Sequence, residues 1–159
     1  MQSLAMHPSV PPSAYFSAAD HCGPVARRLD LQFIALLDAF RPSGGLARCE
    51  ETLELFTRRG GPDLATVARW MARREVVYLD WNAQSWMPIF QWDWVHMVPL
   101  PQLASVVAEL NAVYPPWALA AWFAQPNAWL KGERPADVLV SHPGDVVDAA
   151  RADRFVALG

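Results

Sequence analysis

Leu29, Phe33, Leu36, Leu37 and Phe40 recur at helical spacing, which gathers them on one face, and Pro42-Ser43-Gly44-Gly45 stops the run. Leu46, Cys49, Leu53 and Phe56 share a face of a second helix, closed by Arg58-Arg59 and then Gly60-Gly61-Pro62. Asp63 is suited to N-cap a third helix whose buried stripe is Leu64, Val67 and Met71. Two helices joined by a short glycine turn follow helix-turn-helix grammar. After Glu75 the period changes: Val76 to Trp81 is rich in strand formers, Asn82-Ala83-Gln84-Ser85 is a turn, and Trp86 to Trp92 returns as a second strand. Pro88 predicts an edge position for that strand. A hairpin directly after a third helix is the layout of a wing.

Beyond His96 the pattern is helical again and punctuated by proline. Pro99 and Pro101 precede a helix carrying Leu103, Val106, Val107, Leu110 and Val113, and Pro115-Pro116 sits where the next begins. Trp117 to Ala124 is nearly all apolar, which makes that helix the expected centre of the carboxyl half. Pro126-Asn127 ends it, Pro135 opens a short helix through Leu139, and Ser141-His142-Pro143 starts a last one with Val146, Val147 and Ala150 inward. Residues 1–26, with Pro8, Pro11, Pro12 and Pro24 among Ser, Ala and Gly, show no periodicity and read as a loosely ordered arm. The predicted fold is mainly α: the arm over 1–26, a helix-turn-helix-like region with a small β-hairpin over 27–95, and a compact helical domain over 96–159.

At 159 residues, with 53% hydrophobic and 18% charged, the chain can bury a core as one domain or two small ones, which excludes a disordered tail or a fibre. A net charge of −3 and a pI near 5.7 argue against coating nucleic acid through bulk charge and leave a local basic face open. Cys22 and Cys49 form no CxxC, and His7, His21, His96 and His142 are scattered singly, so neither structural zinc nor a cofactor is expected. No run reaches the roughly 18 to 20 apolar residues of a membrane span, and no secretory signal opens the chain. The expectation is a reduced cytoplasmic protein without a membrane partner.

The chain lacks GxGxxG, GxxxxGK[ST], HExxH and GxSxG, the common nucleotide, zinc and acyl-transfer signatures, and reads as non-enzymatic. The best catalytic set would join His96 or His142 to Cys49 or to a carboxylate such as Asp93, but spacing does not bring these together, and the histidines read as surface or loop residues. The third helix carries Thr66, Arg69, Arg73 and Arg74 outward, the arrangement of a helix laid in a DNA major groove. The bland alternative is that Arg58, Arg59, Arg73 and Arg74 sit at helix C-termini, where a positive charge contributes about 0.3 to 1 kcal/mol. Of the eight tryptophans, Trp81, Trp86, Trp92 and Trp94 fall in or beside the hairpin, and Trp117, Trp122 and Trp129 in the carboxyl half. Core packing accounts for most such residues, yet Trp is also enriched at interface hot spots, which points to a partner-binding surface.

The segment from Pro116 to Leu139 contains Trp122-Phe123, Pro126-Asn127, Leu130, Gly132, Arg134-Pro135 and Asp137-Val138-Leu139 in that order. Residue by residue this is a helix corner: Pro126 breaks a helix, Asn127 tolerates the turn, Gly132 permits a positive φ and Pro135 restarts a helix. The pattern resembles the toxin-binding domain of the Xre/MbcA/ParS antitoxins, over about residues 86–155. The resemblance implies a carboxyl half that binds a cognate toxin, commonly a NAD-consuming or ADP-ribosylating one, and occludes its active site. It further implies an amino-terminal part that represses the operon by binding operator DNA, and a homodimer. Residues implied at the toxin are Trp122, Pro126, Asn127, Trp129, Leu130, Gly132, Arg134 and Pro135, with Arg151, Arg154 and Phe155 of the last helix near its substrate pocket. Upstream the chain departs from the usual Xre-type helical domain, since residues 27–94 read as a shorter helix-turn-helix with a hairpin. The alternative reading is therefore a stand-alone DNA-binding regulator.

Overall fold

A computed structural model describes residues 23–159. The arm expected over 1–26 lies outside these up to residue 22, as do His7, His21 and Cys22, and helix α1 (Pro24–Phe40) takes up its remainder. Pro24 opens that helix because a proline at the first position gives up only an N–H that has no helical partner anyway. The chain is mainly helical with a small antiparallel sheet. After α1 come β1 (Leu46–Arg48), α2 (Cys49–Arg58), α3 (Leu64–Ala72), β2 (Leu79–Trp81), β3 (Gln84–Pro88), β4 (Trp92–Asp93) and β5 (Val98–Pro99). Helices α4 (Pro101–Leu110), α5 (Pro116–Ala124), α6 (Pro135–Val138) and α7 (Pro143–Leu158) complete the described residues.

The local punctuation works as the residues dictate. The α1 run ends through a 3-10 turn, Arg41–Ser43, into Gly44 at φ 104, and the Gly45 N–H returns to the Phe40 carbonyl at 2.8 Å. A Cβ on Gly44 would meet Ile89 Cγ2 at 2.9 Å, so both the backbone sign and the space require glycine. Helix α2 closes in the same manner, with Gly60 at φ 70 and the Gly61 N–H on the Phe56 carbonyl at 2.7 Å. Asp63 caps α3 by accepting the Thr66 N–H at 2.9 Å, as its position predicts.

The sheet departs from expectation in three places. Leu46 belongs to β1 and not to the second helix, because it pairs antiparallel with Pro88 at the end of β3. The hairpin turns tightly at Asn82 and Ala83, both at positive φ, with Trp81 opposite Gln84, so the first strand is only Leu79–Trp81. β3 is the central strand of the order β1-β3-β2, and Pro88 is tolerated there as its last residue rather than at a sheet edge. Past Pro88 the chain makes a 3-10 turn over Ile89–Gln91 before β4 pairs with β5, so Trp86 to Trp92 is not one strand.

Among the described residues two apolar clusters form the core, and the larger crosses the expected division at residue 95. The larger joins Phe33, Leu36 and Phe40 of α1 to Leu103, Val106 and Leu110 of α4, Leu119 and Phe123 of α5, and Val146 and Ala150 of α7. The smaller gathers Phe56, Val67, Val76, Met87 and Trp92 beneath α2 and α3. Phe33 stacks on Trp81 at 3.9 Å and meets Trp86 edge-on at 4.9 Å, which ties α1 to the hairpin. Gln91, fully buried, accepts the Val77 N–H at 2.7 Å and donates to the carbonyls of Val77 at 2.8 Å and Pro88 at 3.0 Å. This side chain satisfies a segment that sequence periodicity assigns to a strand but that has no strand partner.

Candidate partner-binding surface

The corner after α5 is built around Asn127. Its N–H donates to the Glu133 carbonyl at 2.9 Å, and its carbonyl accepts from Leu130 at 3.1 Å and Gly132 at 2.9 Å. Its side-chain oxygen accepts the Trp129 N–H at 2.9 Å. Lys131 at φ 58 and Gly132 at φ 85 supply the left-handed step that closes the loop. Pro135 then restarts the chain as α6.

This closed loop is bolted to α7 by a residue that the sequence reading did not single out. Asp153 Oδ2 accepts from Trp122 Nε1 at 2.7 Å and from Asn127 Nδ2 at 2.8 Å, and Oδ1 accepts from Trp129 Nε1 at 3.0 Å. One carboxylate thus fixes two indoles and an amide from the α5 corner, all through charge-assisted bonds. The only sequence signal was an acid on the last helix between Arg151 and Arg154, since its donors lie 24 to 31 residues upstream.

The residues implied at a partner sort into two groups. Trp122, Asn127, Leu130 and Pro135 are buried, so they shape the corner from within and are not available for direct contact. Arg134 is half-buried and donates to the Ala39 carbonyl at 2.8 Å, which ties the corner to the end of α1. Pro126, Trp129, Gly132, Arg151, Arg154 and Phe155 reach solvent. Trp129 is 60% exposed although its indole N–H is held, and it lines a cleft of about 340 Å³ with Lys131, Glu133, His142 and Asp145. On α7, Arg151 and Arg154 grip Glu109 of α4 at 3.1 and 2.8 Å, and these bonds hold the Glu109 carboxyl below its ordinary pKa. Phe155, Val156 and Leu158 follow at 77%, 67% and 66% exposure. The other tryptophans are inside or half-buried; Trp92 is in the smaller core and Trp117 donates to the Asp80 carbonyl at 2.9 Å.

The set implied for DNA is also divided. Arg69 and Arg73 of the α3 region are exposed, with Arg73 only 4.0 Å from Glu75, and Thr66 is half-buried beside its cap. Arg74 is turned away from this face: its guanidinium donates to the carbonyls of Asn111, at 3.0 Å, and Tyr114 beyond the end of α4. Asn111 answers by donating to the Arg74 carbonyl at 2.8 Å. Arg74 also takes the left-handed step after α3, at φ 55, so its role in the structure is a clamp between the halves.

Among the histidines, His96 does meet a carboxylate, with Nδ1 2.7 Å from Asp93 Oδ2. Asp93 also accepts the N–H groups of Val95 and His96, and these bonds hold its carboxyl below the usual range. The pair closes the exposed β4–β5 turn. His142 instead meets Ser141 at 2.9 Å. Burial pushes the Cys49 thiol up, the opposite of what activates a nucleophile. No group of three or more metal-ligating side chains occurs among the described residues, and none of their helices is long and apolar enough to cross a membrane. In comparisons with known proteins, no family model, no curated protein and no solved structure matches the chain.

Proposed function

We propose that the chain is an antitoxin-like protein whose carboxyl half binds a cognate toxin and neutralises it by covering its active site. The observation that carries this reading is Trp129, a large aromatic side chain held in one orientation by Asp153 yet 60% exposed beside a cleft. A pre-oriented aromatic residue loses little freedom on binding, which is what an interface anchor requires. The motif residues around it support the same reading by resemblance to the Xre/MbcA/ParS antitoxins. Phe155 at the end of α7 is the second anchor.

The test is co-expression with the product of the adjacent gene. Growth arrest by that product alone, relieved by this chain and no longer relieved by a folded Trp129→Ala/Phe155→Ala variant, is the expected result. A neighbour that is harmless, or rescue that survives in the double variant, overturns the site.

A second activity, repression of its own operon through DNA contact, is favoured by the element order α1-β1-α2-α3-β2-β3 with β1 beside β3. That is the order of a helix-turn-helix followed by a wing, with Arg69 and Arg73 at the solvent face of the second helix. Salt-sensitive binding to a promoter fragment, weakened by Arg69→Ala and Arg73→Ala, is expected. Such binding without any toxic partner would make the chain a stand-alone regulator.

A further inference from the structure

We propose that the recess between α1 and α5 binds a free monocarboxylic acid with an apolar body, its carboxylate taken by Arg134 and its hydrocarbon part lying against alanines of both helices. The proposal does not depend on the toxin or the operator. Ala35 and Ala39 lie four residues apart on α1, and Ala118, Ala121 and Ala124 follow at intervals of three on α5, so each helix turns methyl groups to the gap. Close-packed folds leave few voids larger than a water molecule, but here the short side chains leave a recess of about 520 Å³. That size falls in the range of small-molecule sites, about 300 to 1,000 Å³. Trp117 extends the apolar wall, its indole held by the bond to the Asp80 carbonyl at 2.9 Å.

The lining also sets the charge of the guest. Among the described residues Arg134 is the one charged side chain that lines the recess, and no carboxylate accompanies it. It is half-buried, and its bond from Nη1 to the Ala39 carbonyl at 2.8 Å uses one of five N–H groups while holding the guanidinium against α1. By contrast, Arg151 and Arg154 share the Glu109 carboxylate, and Arg74, likewise half-buried, meets two carbonyls. A cation drawn partly out of water without a counter-charge is costly, and a carboxylate completes it through two parallel bonds to the planar fork. A single guanidinium balances a monoanion, whereas a phosphate dianion would bring an uncompensated charge into an apolar recess. Gln32 and Gln125, both exposed, add neutral amides to the lining and no further charge.

Isothermal titration of the full chain with sodium octanoate tests this, with 1-octanol and octylamine as probes that keep the body and change the head. Octanoate should bind at a single site with a Kd below about 1 mM. Octanol and octylamine should bind at least about tenfold more weakly, the loss expected when a charge-assisted pair is not made. Arg134→Gln should remove the preference, so that octanoate binds no better than octanol. Ala35→Phe, at an exposed position that leaves Arg134 and the core in place, fills the recess and should weaken octanoate by about tenfold or more with the urea midpoint unchanged. Absence of octanoate binding below about 1 mM overturns the proposal, and is the result expected of a groove that takes a protein segment instead. Octylamine held as tightly as octanoate overturns it too, as does octanoate binding that Ala35→Phe leaves unchanged.

Discussion

Replacing Asp153 with alanine should destabilise the protein by about 2 to 6 kcal/mol, because two of the three donors it satisfies are buried and about 1 to 3 kcal/mol attaches to each donor left unpaired. Trp122 is 9% and Asn127 8% exposed, so most of each side chain is withdrawn from water. Trp129 is the counterweight: at 60% exposure its indole regains a water, so Trp129→Phe should cost less than about 1 kcal/mol. Asp153→Asn keeps one acceptor oxygen but turns an amide donor towards other donors, and should fall between the two. Urea unfolding followed by tryptophan fluorescence measures all three. The near-ultraviolet dichroism of the alanine variant should also lose the contribution of immobilised indoles at urea concentrations where the fold persists. An alanine variant within about 0.5 kcal/mol of the original chain would refute the idea that this carboxylate fixes the corner.

Gln91→Glu places a carboxylate against two carbonyls in the core and should cost about 3 kcal/mol or more near neutral pH. The protonated acid can donate where the amide did, so a cost of about 3 kcal/mol corresponds to a carboxyl pKa raised by about two units, and the gap to the original chain should shrink as the pH falls from about 6.5 and close near the ordinary glutamate value of about 4.3, measured by paired denaturation curves; a gap independent of pH would contradict the assignment. Arg74→Ala should lose about 1 to 3 kcal/mol in urea unfolding by freeing the Asn111 and Tyr114 carbonyls, whereas Arg69→Ala should unfold with the original chain. Glu109 has its pKa lowered by Arg154 and Arg151, so its stabilisation is present above the ordinary glutamate range and is lost as the pH falls through the lowered value. Thermal melts of Glu109→Gln and the original chain should accordingly differ near neutral pH and converge as the pH falls below the ordinary glutamate range.

The parts of the fold that were legible in the sequence are those fixed by neighbours in the chain. Asp63 as a cap, Gly44 and Gly60 as stops and the proline starts of α4 to α7 depend on residues within one turn. β1 was hidden because its three residues are a strand only by virtue of β3, some forty residues later, and taken alone they continue the helical spacing of α2. The central place of β3 follows from the same pairing, which no local signal at Pro88 announces. The site was half legible: the corner from Pro126 to Pro135 could be read from its breakers, but Asp153, Arg74 and Arg134 act across 24 to 95 residues. Polar side chains that reach that far carry no periodicity, and only the folded arrangement shows which of many arginines and aspartates are spoken for.

The shared core of α1 and the carboxyl helices has a consequence for how such a chain can be cut or recombined. A fragment beginning at His96 would strip Phe33, Leu36 and Phe40 from the surfaces they cover and leave Arg134 without its carbonyl, so it would retain its sequence motif but not its shape.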